Sequence, residues 1–156
     1  MKAYDDYADA LYRHCFFRVF SEARAEELVQ DVFLKTWQYL ADGHEIAHIR
    51  AFLYRVLGNM IIDEARRAKS ESLDHLMEQG FEPKGDGEKN LVQGAEVREV
   101  QEALRRLPRD AAEVLVMRYV DDLEPKEIAE ILDISPNRVS VRIHRALEAL
   151  KKHVRE

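Results

Sequence analysis

Apolar residues recur at three- and four-residue spacing through three stretches at one end of the chain and four at the other, and the pattern fails once, between Ser70 and Ala95. Such spacing gathers apolar side chains on one stripe of an α-helix, whereas a strand would alternate its faces every residue. A helix with one apolar stripe is stable only when that stripe is packed against another element. The pattern therefore predicts an all-α chain with two small helical domains, 1–69 and 96–156, joined by a flexible acidic linker over 70–95.

In the first domain the helices are expected over 4–20, 25–40 and 50–68, the last turning Phe52, Leu53, Val56, Leu57 and Met60 toward a common core. On the second, Leu28, Val29, Val32, Phe33, Tyr39 and Leu40 fall on the inward side. Leu34 falls outward among Glu27, Gln30, Asp31 and Gln38, with Trp37 at the edge. A lone exposed leucine is ordinary, but one ringed by acids and amides also fits a protein-contact patch.

Between 70 and 95 six acids face two lysines and four of the six glycines occur, which reads as a connector with at most a short helix at Leu73 to Met77. Four helices are expected beyond it, at about 96–107, 109–119, 125–132 and 136–153, with Pro108, Pro125 and Pro136 each at a first helical position.

The net charge of −6 argues at first against nucleic acid, whose phosphates dominate binding. The charge is unevenly spread, however. Residues 50–69 hold five Lys or Arg against Asp63 and Glu64, and residues 136–155 hold six against Glu148. Two basic islands in an acidic chain are what a segmented DNA-binding protein requires.

The second island coincides with a helix-turn-helix pattern. Ile128, Ala129 and Leu132 face inward, Asp133-Ile134-Ser135 forms a three-residue turn, and Ser135 can cap the helix that begins at Pro136. On that helix Val139, Ile143, Ala146, Leu147 and Leu150 form one stripe. Asn137, Arg138, Val141, His144 and Arg145 are left on the opposite face, which would enter a major groove. An arginine fork suits guanine, an asparagine amide suits adenine and a stranded valine suits a thymine methyl. Arg142, Arg145, Lys151 and Lys152 suit phosphates. The plainer reading, a helical hairpin with a solvated basic end, would leave this combination of caps, spacing and charge without a role.

The first island carries a track of its own. Arg55, Asn59, Ile62, Arg66 and Lys69 follow at steps of four, three, four and three, displaced from the core stripe and offered to a strand. Past Ile62 the residues are charged nearly all round, so Asp63, Glu64, Arg66 and Arg67 are expected to project beyond the bundle.

Other chemistries find little support. Cys15 is the only cysteine, which rules out an internal disulfide, and it sits among Leu11, Tyr12, Phe16 and Phe17 as a small hydrophobe. No apolar run approaches the roughly 18 residues that cross a bilayer, and the start lacks a signal-peptide pattern, so a cytoplasmic location is expected. His44-Glu45-Ile46-Ala47-His48 matches the H-E-x-x-H zinc signature. That chemistry needs both histidines on one face of a helix and a third ligand, whereas this stretch follows Asp42-Gly43 in an inter-helix connection. No enzyme activity, metal or cofactor is expected.

The strings EELVQDVFLKTWQYL, RAFLYRVLGNMIIDEARRAK, LPRDAAEVLVMRYVDDLEPKEIAEILDIS and NRVSVRIHRALEALKK resemble, in that order, the signatures of extracytoplasmic-function sigma factors. The resemblance implies that the first domain is region 2, which binds the β′ clamp helices of core RNA polymerase and captures the opened minus-ten element. It implies that the second is region 4, which meets the β flap and reads the minus-thirty-five element. Gln30, Asp31, Leu34, Trp37 and Gln38 would meet polymerase. The loop 42–49 with Asn59 would pocket a flipped-out base, at a cost of a few kcal/mol once the duplex is weakened. Arg55, Ile62, Arg66, Arg67 and Lys69 would hold the minus-ten strand, and Ser135, Asn137, Arg138, Val141, Arg142 and Arg145 would serve minus thirty-five. An anti-sigma factor is an expected partner, and nucleoid association is expected when polymerase is bound. The loop ADGHEIAHI, Ser140 and Glu124 depart from the family pattern, so no promoter sequence transfers.

Two other readings compete. An ordinary helix-turn-helix regulator would use the first domain for dimerisation or effector binding, and would have no need of a second basic track. A helical scaffold binding neither DNA nor polymerase would leave the charge of the last helix without a task.

Overall fold

A computed structural model describes residues 2–78 and 94–154 of the chain. Most of the linker, 79–93, lies outside the described residues. Among those described there are helices and no strands. Three helices, α1 (Lys2–Val19), α2 (Glu22–Ala41) and α3 (Ile49–Glu78), pack pairwise into the first block. The second holds α4 (Gly94–Arg106), α5 (Arg109–Leu115) running on into a π-helical turn Val116–Val120, α6 (Pro125–Leu132) and α7 (Pro136–Val154).

The core of the first block is the stripe that the spacing requires: Leu11 and Cys15 from α1, Leu28, Val29, Val32 and Phe33 from α2, and Leu53, Leu57 and Ile61 from α3. Thr36 joins it by donating its hydroxyl to the Val32 carbonyl at 2.8 Å, the back-bond that lets a hydroxyl lie inside a helical stripe. Between α1 and α2 the chain turns at Phe20, whose φ of 62° closes α1 in the left-handed region. Ser21 then caps α2 by accepting from the Arg24 N–H at 3.3 Å. The Arg105 guanidinium, 4.4 Å from the Phe20 ring centroid, covers that aromatic from the second block.

Several expectations need correction. Tyr39 and Leu40 are exposed rather than inward; Tyr39 lies against Phe52 of α3 and His44 of the loop, which cover it only in part. The connector does not begin at residue 70. Helix α3 continues to Glu78, and the short helix expected at Leu73 to Met77 is its final turns. Loss of apolar periodicity removes packing but does not by itself stop a helix, since Glu, Lys and Arg are good helix formers. At about 1.5 Å per residue α3 is roughly 45 Å long. Pro108 is the residue before α5 rather than its first, with an extended ψ of 150°, and the helix expected to reach 119 changes to π pitch at Val116.

The two blocks share one continuous core. Helix α1 packs on α4 and on the π-helical turn, and α3 packs on α6. His14 Nδ1 lies 2.8 Å from Asp121 Oδ2 across this seam, with side chains 1% and 0% exposed. Arg18 lies 3.6 Å from Glu113.

Within the first block, Arg24 forks onto Glu64 of α3, its Nε donating at 2.7 Å and its Nη2 completing the pair. Those hydrogen bonds hold the Glu64 carboxyl below the usual carboxylate range, opposed by partial burial and assisted by the charge of Arg24. A carboxyl depressed on folding stabilises the native state above its unfolded pKa, and that contribution is lost as pH falls through the folded value. Urea unfolding should therefore show Glu64→Gln less stable than the parent at pH 7, with the gap shrinking as pH is taken from about 5 downward; a gap independent of pH would contradict the pairing.

Candidate nucleic-acid interface

Local chemistry builds the helix-turn-helix from its ends inward. Glu124 stands before α6 where a hydroxyl is usual, and the Glu127 side chain accepts from the Glu124 N–H at 3.0 Å, so the glutamate pair closes the end without a serine. Asp133 ends α6 in the left-handed region at φ 57°, which returns the Ile134 N–H to the Ala129 carbonyl at 3.1 Å. Ser135 then accepts from the Arg138 N–H at 3.2 Å and starts α7. The turn thus places Pro136 at the first helical position and sets the angle of the whole helix.

Ile128, Ala129 and Ile131 are buried against Val139, Ile143 and Ala146. The inward set differs from expectation in one residue: Ile131 is buried and Leu132 only half so, a shift of one position along a short helix. With that face committed, Asn137, Arg138, Val141 (41% exposed), His144 and Arg145 lie open together, and Arg142 is half-buried at the flank. Lys151, Lys152 and His153 occupy the last turn of α7, where cations complement the negative end of the helix dipole.

On α3, Asn59, Arg66, Arg67 and Lys69 are exposed and Ile62 is half-buried. Arg55 is placed differently from the rest of its track. Its Nε donates to the Ile131 carbonyl at 2.8 Å and its Nη2 to the Glu130 carbonyl at 2.6 Å, so it is occupied by protein and not directed outward with Asn59.

The loop between α2 and α3 is not helical at His44 to His48, so the H-E-x-x-H spacing does not set its histidines on one helix face. His44 stacks on Tyr39 with ring centroids 4.3 Å apart, Tyr39 leans on Phe52 at 5.0 Å, and His48 Nδ1 lies 3.0 Å from Glu130 Oε1. The sequence reading missed this aromatic ladder beside the loop. The signal available was an aromatic at the last turn of a helix followed by a His-containing loop.

On α2, Leu34 is 60% and Trp37 54% exposed, with Gln30 and Gln38 exposed and Asp31 half-buried beside them. Leu34 and Trp37 are among the large apolar side chains left exposed in the described residues.

Comparison with known proteins gives two family matches: the model described as Sigma-70 region 2 matches residues 3–71, and the one described as Sigma-70, region 4 matches residues 97–150. The chain is similar to the ECF RNA polymerase sigma factor SigW of Bacillus subtilis, 29% identical over 97% of this chain and 87% of that protein. It is likewise similar to the ECF RNA polymerase sigma factor SigL of Mycobacterium tuberculosis, 29% identical over 98% and 87%. Its fold matches that of the sigma factor RpoE of Bartonella quintana, solved in complex with the anti-sigma factor NepR, with a TM-score of 0.67, 20% identity and coverage of 94% and 91%.

Because the Ser135 hydroxyl satisfies an otherwise unpaired N–H of α7, Ser135→Ala should lower stability by about 1 kcal/mol in chemical denaturation. Ser135→Asp, which keeps the capping oxygen, should restore it.

Proposed function

The chain belongs to the sigma-70 family, in its extracytoplasmic-function branch, and directs bacterial RNA polymerase to specific promoters; we propose that it does so as two DNA-gripping units, the α1–α3 block and the α4–α7 block, tethered through the segment between α3 and α4. The open face of α7 carries this reading: a row of side chains with base-reading chemistry stands opposite a fully committed apolar stripe. Arg138 contacts a guanine, Asn137 an adenine and Val141 a thymine methyl in the minus-thirty-five element, while Arg142, Arg145, Lys151 and Lys152 hold phosphates around them.

The α2 face with Gln30, Asp31, Leu34, Trp37 and Gln38 docks on the β′ clamp helices of core polymerase, the two large apolar side chains supplying the anchor. The second block meets the β flap. Loop 42–49 and Asn59 receive an extruded minus-ten base, with the Tyr39 and His44 rings available for stacking. Ile62, Arg66, Arg67 and Lys69 follow the strand, joined by Arg55 once it leaves the α6 carbonyls.

A chain of net charge −6 with two small modules binds DNA weakly by itself. Polymerase supplies the missing affinity by holding both units at high effective concentration over one promoter. The relative solved with an anti-sigma factor supports an inhibitor of that kind as a further partner. Among the described residues no helix is long and apolar enough to cross a membrane, which is compatible with a site of action at the nucleoid.

An independent helix-turn-helix regulator is the alternative, and the exposed Leu34 and Trp37 favour the polymerase-bound reading over it. Purified core polymerase should give promoter-specific transcripts with the chain and none without it. Leu34→Ala with Trp37→Ala should abolish association with core and leave the fold intact. Arg138→Ala should cost about 1–3 kcal/mol at one promoter position, whereas Lys151→Ala should weaken all promoters alike and flatten the salt dependence. Identical losses at every position from both changes would contradict the assigned roles.

A further inference from the structure

Among α1, α3, α4 and α5 lies a cavity of about 150 Å³, a volume that holds one benzene-sized molecule. Its walls are largely apolar, with Phe17, Phe20, Ile61 and Leu104 among them. Yet Arg18, Arg105 and Arg109 line it too, and among the described residues no acid does. None of its lining residues belongs to the sets assigned above to promoter or polymerase.

Arg18 is the unusual member. Its side chain is 5% exposed, and its Nη1 is buried with no hydrogen-bond partner among the described residues. Glu113, its ion-pair partner, stands 3.6 Å away, beyond hydrogen-bond length. Burial pushes the guanidinium below its ordinary range; Glu113 opposes that shift, and the charge of Arg109 adds to it. An arginine cannot relieve the strain by giving up its proton, as a buried lysine can. A buried cationic N–H without an acceptor carries a desolvation cost that an anion brought against it would offset. The other two arginines are open to solvent: Arg105 lies over the Phe20 ring at 4.4 Å, and Arg109 begins α5.

Charge and shape together select the ligand. A small inorganic anion is strongly hydrated and gains nothing from phenylalanine, isoleucine and leucine walls. A neutral ring would fill the same volume but leave Arg18 Nη1 without an acceptor. A carboxylate carrying one ring or a short branched chain meets both demands, because its two oxygens match a guanidinium fork and its body removes apolar wall from water.

We infer that this cavity is a binding site for a small organic carboxylate, with Arg18 as buried anchor, Arg105 and Arg109 supplying charge at the mouth, and Ile61, Ala65 and Leu104 holding the apolar body. The site is separate from DNA and polymerase recognition and does not depend on the promoter reading.

Benzoate added to the full chain is the probe. Saturation-transfer NMR should show saturable binding, with intermolecular NOEs from the benzoate ring protons to Phe17 and Ile61, and Tm should rise with benzoate concentration. Benzamide, neutral and of the same shape, should bind about tenfold more weakly or less, and inorganic phosphate at matched ionic strength should not compete. Ala65→Met, which fills the cavity and keeps every charge, should abolish binding. Arg109→Gln should weaken it severalfold; Arg109 is exposed, so this variant decides the matter even where the filled one does not fold. No saturable binding, equal affinity for benzamide, displacement by phosphate, or an affinity unchanged in either folded variant would overturn the site.

Discussion

A carboxylate removed entirely from water needs a cationic or donating partner, and Asp121 finds one only in the other half of the molecule. Unpaired, such a group costs several kcal/mol of lost hydration. His14 is the partner, from the middle of α1, and its ring meets Tyr54 edge-on at 5.4 Å. Burial, and after it the charge of Asp121, push the Tyr54 hydroxyl above its ordinary range. The site is thus dry and polar at once, and it fixes where the second block sits on the first. From that position follow the packing of α3 on α6 and the use of Arg55 as a helix cap.

Helix ends carry most of the remaining information. Phe20 and Asp133 both take left-handed backbone, the first covered by Arg105 and the second closing the recognition turn. Each aims the helix that follows, and with it the surface that helix offers. The two basic islands are distant in sequence, yet the fold sets the start of one against the backbone of the helix preceding the other. Charge that reads as DNA-binding in the chain is, for Arg55, satisfied by carbonyls of the same protein.

The fold was legible wherever a local rule decides. Core stripes such as Leu28, Val29, Val32 and Phe33, the cap at Ser135 and the open face of α7 follow from period and end chemistry, because helix sides are fixed by 100° steps. The readings that failed were those where length or neighbours decide. Tyr39 and Leu40 keep the inward register of α2 yet stay exposed, with Tyr39 set against Phe52 and His44. The apolar pattern of α3 ends before the helix does, because polar residues with good helix propensity carry it on to Glu78.

Sequence by itself determined that this chain is helical, that it carries a helix-turn-helix whose second helix leaves a polar and basic face open, and that Leu34 on α2, with Trp37 at its edge, lies off the inward stripe. These depend on periodicity, capping and residue chemistry within a few turns of chain. Only the tertiary structure decided that the two blocks share one seam, that His14 answers Asp121 across more than a hundred residues of chain, and that Arg55 faces protein. Spacing along a chain fixes which side of a helix a residue occupies; what stands opposite that side depends on packing between elements distant in sequence, which no local pattern encodes.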